Sequence, residues 1–283
     1  MTAFDSFAIV DWSSGNDRGA KPKKDAIWIG AVLNGEEAEP IYCRNRQVAK
    51  AELEALIEAE RAVGRRLLIG FDFPFGYPQG FAETVTGSSD PLKLWAWFAD
   101  NLEDAPKRNN RFALAGRLNG SFPGVGPFWF NGGKEEIPGL PRKGRDRFDH
   151  GMTDRRVVEE RAKGAFTCWQ MGGAGAVGGQ VMTGLAALEH LRRRFPGDIA
   201  VWPFEPLTTP VAFVEIWPSL IDPVVKAADD AIKDRAQVRL LARALASLPP
   251  ARLARMMEID APEEGWILGL GFETELQDAA CRS

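Results

Sequence analysis

Residues 66–71, Arg66-Leu67-Leu68-Ile69-Gly70-Phe71, run into Asp72-Phe73-Pro74-Phe75-Gly76-Tyr77-Pro78, and this stretch decides the fold. After Arg66 the run is continuously apolar, with no alternation. That pattern marks a strand buried on both faces, central and parallel to its neighbours. Pro74, Gly76 and Pro78 then break the chain. Asp72 therefore stands at the carboxyl end of a core strand, where open α/β sheets bind ligands. Gly70 lets another group approach the backbone closely. The aromatic and proline residues after Asp72 read as a stiff wall, with an Asx-turn at the strand end as the plainer alternative.

Towards the N-terminus, residues 7–10 (FAIV) form a short apolar strand that ends in Asp11. Residues 13–25 are polar and rich in Gly and Lys, hence a loop. Residues 26–33 and 40–43 are strands joined through the tight-turn pair Asn34-Gly35. Three strands in succession predict an antiparallel meander. Residues 48–63 place Leu53, Leu56, Ile57 and Ala62 on one face of a helix, which Gly64 closes.

Towards the C-terminus, helices are expected over 91–103, 154–163, 178–194, 229–246 and 251–258, and strands over 199–204 and 211–216. The helix over 178–194 is the clearest, with Val181, Leu185, Leu188 and Leu191 on one face. From Glu263 on the pattern is weak. Residues 105–151 show no periodicity and are rich in Gly, Pro, Asn and Arg. A loop this long in a compact domain is usually functional.

The chain has 283 residues, 45% hydrophobic and 26% charged, and a formal net charge of -4. That fits one α/β domain, 1–283, with 74–165 as an insertion or lid after the fourth strand. The overall charge argues against a protein that coats nucleic acid. The balance is uneven, however. Residues 105–165 hold 13 Lys+Arg and 7 Asp+Glu, a net of +6, so the rest of the chain carries -10. The basic segment is either a solvated loop or a face for an anionic partner. Three widely spaced cysteines (Cys43, Cys168, Cys281) support neither a zinc ribbon nor a disulfide framework. Together with an N-terminus that lacks a signal-peptide pattern, and with no apolar run of spanning length, they predict a cytoplasmic protein with no membrane association.

Three core strands run into an acid: Asp11, Asp72 and Glu215, the last within Val214-Glu215-Ile216-Trp217-Pro218-Ser219. Singly, each reads as a turn cap or a surface acid. Carboxylates that meet at one point repel and need cations, and oxygen donors of this kind suit Mg2+ or Mn2+. Residues Gly173 to Gly178 match G-x-G-x-x-G ahead of a helix, so Gly173, Gly175 and Gly178 are candidates to cradle a phosphate. The alternatives are a packing turn and a dinucleotide fingerprint, which would need 166–170 as its preceding strand and Glu205 as its acid. Arg142, Lys143, Arg145, Arg147, Arg155, Arg156 and Arg161 make a basic stretch suited to phosphate, although Arg155 and Glu159 have the spacing of a helical surface pair. Only two histidines, His150 and His190, are present, and no GxSxG or Walker A motif. A histidine triad or zinc site is thereby disfavoured.

The stretches IVDWSSG, IGFDFPFGYP, GAGAVGGQVMTGL, VWPFEP and VEIWPS resemble, in that order, the motifs of an uncharacterised bacterial family described as predicted nucleases of ribonuclease H-like fold. The resemblance runs from about Phe7 to about Ala246. It implies a ribonuclease H-like mixed sheet flanked by helices, and maps Asp11, Asp72 and Glu215 onto the family's acidic strand ends. Arg155, Arg156 and Glu159 resemble its Arg/Glu-rich helix before the glycine loop. Such folds bring a further acid from a late helix, here Asp278 or Asp234. Some relatives carry a molybdopterin-guanine-dinucleotide biosynthesis label.

The expectation is therefore a Mg2+- or Mn2+-dependent phosphodiesterase or nuclease acting on a small or structured nucleic acid or nucleotide. Asp11, Asp72 and Glu215 would hold metal, and the glycine loop with the arginines would hold phosphate. The alternative is a nucleotide- or pterin-binding protein without hydrolysis, its aromatic residues stacking the ring.

Overall fold

The computed structural model describes residues 3–282 and resolves two compact units. The first runs through Asp72 and then takes in Leu191–Asp260 and the chain from Ile267 on. Its six-stranded mixed sheet has the order β3-β2-β1-β4-β8-β7. β1 (Ser6–Asp11), β2 (Ile27–Leu33) and β3 (Glu36–Cys43) form the expected antiparallel meander. β4 (Leu67–Phe71) is parallel to β1, as its apolar run predicts, and lies in the middle of the sheet. β8 (Val211–Glu215) pairs in parallel with both β4 and the shorter β7 (Ile199–Val201). The later strand thus inserts between two earlier ones, an order that no local pattern announces.

Helices flank this sheet. α1 (Arg46–Ala62) starts where the Asn45 side chain accepts from the Val48 N–H at 3.0 Å, and it buries Ala49, Leu53 and Ile57. Its end is fixed by Gly64 at φ 70°, a conformation glycine adopts without strain. α7 (Asp222–Ala227) leads to α8 (Lys233–Ser247), which packs on β1 and β2. The approach is direct, because a Cβ at Gly30 would lie 2.6 Å from the Val238 carbonyl carbon. Val238, Leu241 and Leu245 seal the contact, and truncating either leucine to Ala would cost about 2–5 kcal/mol. α9 (Pro250–Met256) follows, and α10 (Glu273–Ala280) packs on α8.

The second unit comprises Phe73–His190 and Ala261–Trp266. It extends to His190 and so takes in the glycine-rich turn. It contains α2 (Phe81–Thr86), α3 (Pro91–Asn101), a minimal hairpin of β5 (Asp104–Ala105) and β6 (Arg108–Asn109), α4 (Arg111–Asn119) and α5 (Val157–Arg161). The unit boundary falls within α6 (Gly178–Arg194). The core of the unit is aromatic. Tyr77, Phe81, Phe128 and Trp169 pack with ring centroids 4.4–5.8 Å apart, and the Trp95 indole N–H donates to the Phe75 carbonyl at 2.7 Å. The wall expected after Asp72 is therefore core: Phe73, Phe75 and Tyr77 are all buried. Among the described residues no helix is long and apolar enough to cross a membrane.

Candidate active site at the strand ends

The sheet register decides which acids meet. Ile9 pairs with Gly70, and Val10 with Phe71. Asp11 and Asp72 each lie two residues beyond the first pair, so both side chains leave the sheet on the same face as Ile9. A Cβ at Gly70 would lie 2.8 Å from both Ile9 and Ile216, which marks that face. α8 covers it too: Gly30, opposite Ile9, lies against Val238, and the Arg235 guanidinium sits 5.9 Å from the ring of Trp28, the residue opposite Asp11. Asp234, in the first turn of α8, thereby joins the two strand-end acids.

Glu215 does not join them. It is in register with Phe71, and therefore on the opposite face by the alternation of the strand. The Phe71 and Phe213 rings, 5.3 Å apart, pack on that same side. Its backbone carbonyl accepts the Leu268 N–H at 2.8 Å, and the side chain is buried. An acid at a strand end is legible in sequence; its face depends on a one-residue choice of register. Of the two late-helix candidates, Asp234 is the one brought to the cluster, whereas Asp278 is exposed on α10.

Electrostatics make the cluster unusual. Burial, and next the charge of Asp72, push the Asp11 carboxyl well above the ordinary carboxylate range; Asp234 and Asp25 add to this and Lys233 opposes it. Burial likewise pushes Asp72 up to about 7, with Asp234 adding, although the Trp12 N–H at 2.7 Å and its own N–H favour the charged form. Asp234 is raised by burial too, and accepts the Asp25 N–H at 2.6 Å. Both strand-end carboxylates keep partial solvent access. Asp25 was not anticipated. Its signal was only an Asp at the end of a lysine-rich loop, and its φ of 55° is uncommon for a residue other than glycine.

The donors fit a hard divalent cation: all are aspartate oxygens, crowded enough to hold protons that a cation would displace. Among the described residues no group of three or more His, Cys, Asp or Glu side chains is placed to hold a metal ion. Mg2+ does not require one, since it commonly uses one or two carboxylates and keeps waters or substrate phosphate in its other positions.

The expected phosphate-binding groups are engaged elsewhere, within the second unit. Arg156 and Glu159 are both buried, with the guanidinium Nε donating to Glu159 Oε1 at 2.9 Å, the Arg156 N–H donating to Oε2 at 3.1 Å, and a further bond to the Glu264 carbonyl at 2.8 Å. Arg155 donates to the Ala165 carbonyl at 2.7 Å. Arg142 reaches the carbonyls of Asn131 and Gly133, and Arg147 that of Pro127. These arginines order the loops that lacked any sequence period. The glycines also have packing reasons. Gly173 and Gly175 have φ of 86° and 72° and lie against the Phe130 and Phe166 rings, and the Gly178 N–H donates to the Gln170 carbonyl at 2.9 Å. Residues 166–170 form no strand, and Glu205 pairs with Arg192, so the dinucleotide fingerprint lacks its context.

No protein-family model, curated protein or solved structure matches this chain.

Proposed function

We propose that this chain is a divalent-metal-dependent phosphodiesterase or nuclease built on a ribonuclease H-like sheet, with Asp11, Asp72 and Asp234 as its acids. The observation that carries the reading is the meeting of three half-buried aspartates on one face of the sheet, Asp11 and Asp72 at the carboxyl ends of adjacent strands and Asp234 in the first turn of α8. Like charges held together in a partly open site favour a cation strongly. The strand order and directions, an antiparallel meander followed by parallel strands, agree with the fold proposed.

Bound Mg2+ or Mn2+ would supply Lewis-acid polarisation of a phosphoryl oxygen and an activated water. The chain's part is to hold the acids. The Trp12 N–H fixes one oxygen of Asp72, and the Asp25 N–H fixes one of Asp234.

The test is calorimetry of Mn2+ into the full-length protein, with Asp11→Asn/Asp72→Asn as control. Saturable binding that the double variant loses is the expected result. Absence of binding to the parent protein would refute the metal reading. The pterin-stacking alternative gains no support, because the aromatic residues after Asp72 are core.

A further inference from the structure

The loop between β1 and β2 carries Arg18, Lys21, Lys23 and Lys24, all exposed, and none makes an ion pair among the described residues. Such runs are usually solvated and mobile. Here the backbone beneath the cations is pinned along its length. The buried Arg46 guanidinium donates to the Ser13 and Gly15 carbonyls at 3.0 and 2.6 Å. The Arg18 N–H donates to the Arg44 carbonyl at 2.8 Å, and the Tyr42 hydroxyl to that of Gly19 at 2.9 Å. The loop's own acid, Asp17, is taken up by Arg44 and Asn45. The Trp28 indole N–H holds the Lys23 carbonyl at 3.1 Å, and the next residue but one, Asp25, is bonded to Asp234 of the acid cluster.

The chain thus anchors the backbone of a loop that carries four cations and leads into Asp25 of the aspartate cluster, without an ion-paired carboxylate for any of them among the described residues. Neutralising them internally was easy, since acids outnumber bases in the sequence by 39 to 35. We propose that Arg18, Lys21, Lys23 and Lys24 are the strand-holding surface of the site. They would engage backbone phosphates flanking the one held at Asp11 and Asp72, so that the substrate is a polynucleotide strand and not a mononucleotide. This inference rests on the phosphodiester reading above. It assigns the phosphate contacts to this loop in place of the glycine turn and the 105–165 arginines. A loop whose backbone is already pinned loses less entropy on binding than a free tail would.

The test measures anisotropy of a fluorescein-labelled single strand about 20 nucleotides long, bound to the full-length Asp11→Asn/Asp72→Asn protein so that no cleavage intervenes, at salt from about 50 to about 200 mM. Adding Lys21→Ala/Lys23→Ala/Lys24→Ala is expected to weaken binding at least about tenfold at the lowest salt and to flatten the log-log salt slope by about 2, at roughly 0.7 per phosphate contact. The charge-matched set Lys107→Ala/Lys134→Ala/Lys163→Ala is expected to leave both unchanged, and AMP not to displace the strand. Wild-type affinity and slope in the loop variant, loss of slope in the control set instead, no strand binding at all, or displacement by AMP would each overturn the proposal. Mn2+ calorimetry on the loop variant with Asp11 and Asp72 intact separates the two readings. Retained Mn2+ binding with no loop dependence of strand binding removes only this one. Loop-dependent strand binding with no Mn2+ binding to the parent protein removes only the metal.

Discussion

Two groups of buried charge lie in this chain, and they are opposite in kind. In the second unit Arg156 and Glu159 are buried together, and each satisfies the other through bonds at 2.9 and 3.1 Å. In the first unit Asp11, Asp72 and Asp234 meet on one face of the sheet, where Asp72 and Asp234 raise the proton affinity of Asp11, and Asp234 that of Asp72. Both groups lie where charge is costly. The first is compensated internally and completes a structure; the second is compensated only in part, by two backbone N–H groups and the charge of Lys233, which leaves room for a cation to relieve the rest. A sequence search for charged motifs found both and gave both a role at the site. Compensation, which depends on tertiary contacts, separates them.

The largest expected effect breaks the comparison directly. If the aspartates are catalytic, Asp11→Asn, Asp72→Asn and Asp234→Asn each lower metal-dependent phosphodiester cleavage by about a thousandfold, some 4 kcal/mol in the barrier, while Glu215→Gln has a much smaller effect on turnover by folded protein. Steady-state cleavage of a labelled oligonucleotide is the measurement, and equal losses for Glu215 and Asp72 would return Glu215 to the site.

Stability gives the next contrast. Glu159→Gln leaves the Arg156 guanidinium buried without its charge partner and is expected to cost about 3–5 kcal/mol in urea unfolding. The same neutralisation at Asp11 removes repulsion and is expected to be neutral or stabilising by about 1 kcal/mol. Matching signs would mean that the two groups are not different in kind.

A smaller effect follows pH. Burial raises the folded-state pKa of Asp72 to about 7, from an ordinary carboxylate value near 3.8. The folded state therefore binds its proton more tightly than the unfolded state. The stability this contributes is fully present below about pH 4 and is lost as pH rises through about 7. Unfolding free energy is expected to fall across that window by up to about 4 kcal/mol, at about 1.4 kcal/mol per pH unit and less for the carboxyl's partial exposure, and Asp72→Asn is expected to flatten the fall. A rise across the window in the parent protein, unaltered by Asp72→Asn, would contradict the crowded-carboxylate account.

The smallest effect concerns a buried group that is neither paired nor part of the cluster. The Tyr77 hydroxyl is buried without a hydrogen-bond partner among the described residues. Tyr77→Phe is expected to change the thermal midpoint little, with stability neutral to about 1 kcal/mol higher, because no bond is lost and a desolvated oxygen is removed. A loss of about 2 kcal/mol or more would point to a bound water that completes the network.

The sequence by itself determined the elements with a period to read. The run at 66–71 became the central parallel strand β4, the meander formed around Asn34-Gly35, and α6 spans the residues its apolar spacing names. It also placed Asp11 and Asp72 at strand ends, because an apolar run that stops at an acid can be seen locally. Helices α2, α4, α7 and α10 were not foreseen. They are short and sit among glycines, prolines and aromatic residues, where tertiary packing outweighs propensity. Only the tertiary structure inserted β8 beside β4, turned Glu215 to the far face, chose Asp234 over Asp278, brought Asp25 to the cluster and buried Arg156 against Glu159. Each of these depends on pairing between residues far apart in the chain. Strand register sets the direction of every side chain, and no local pattern carries that information.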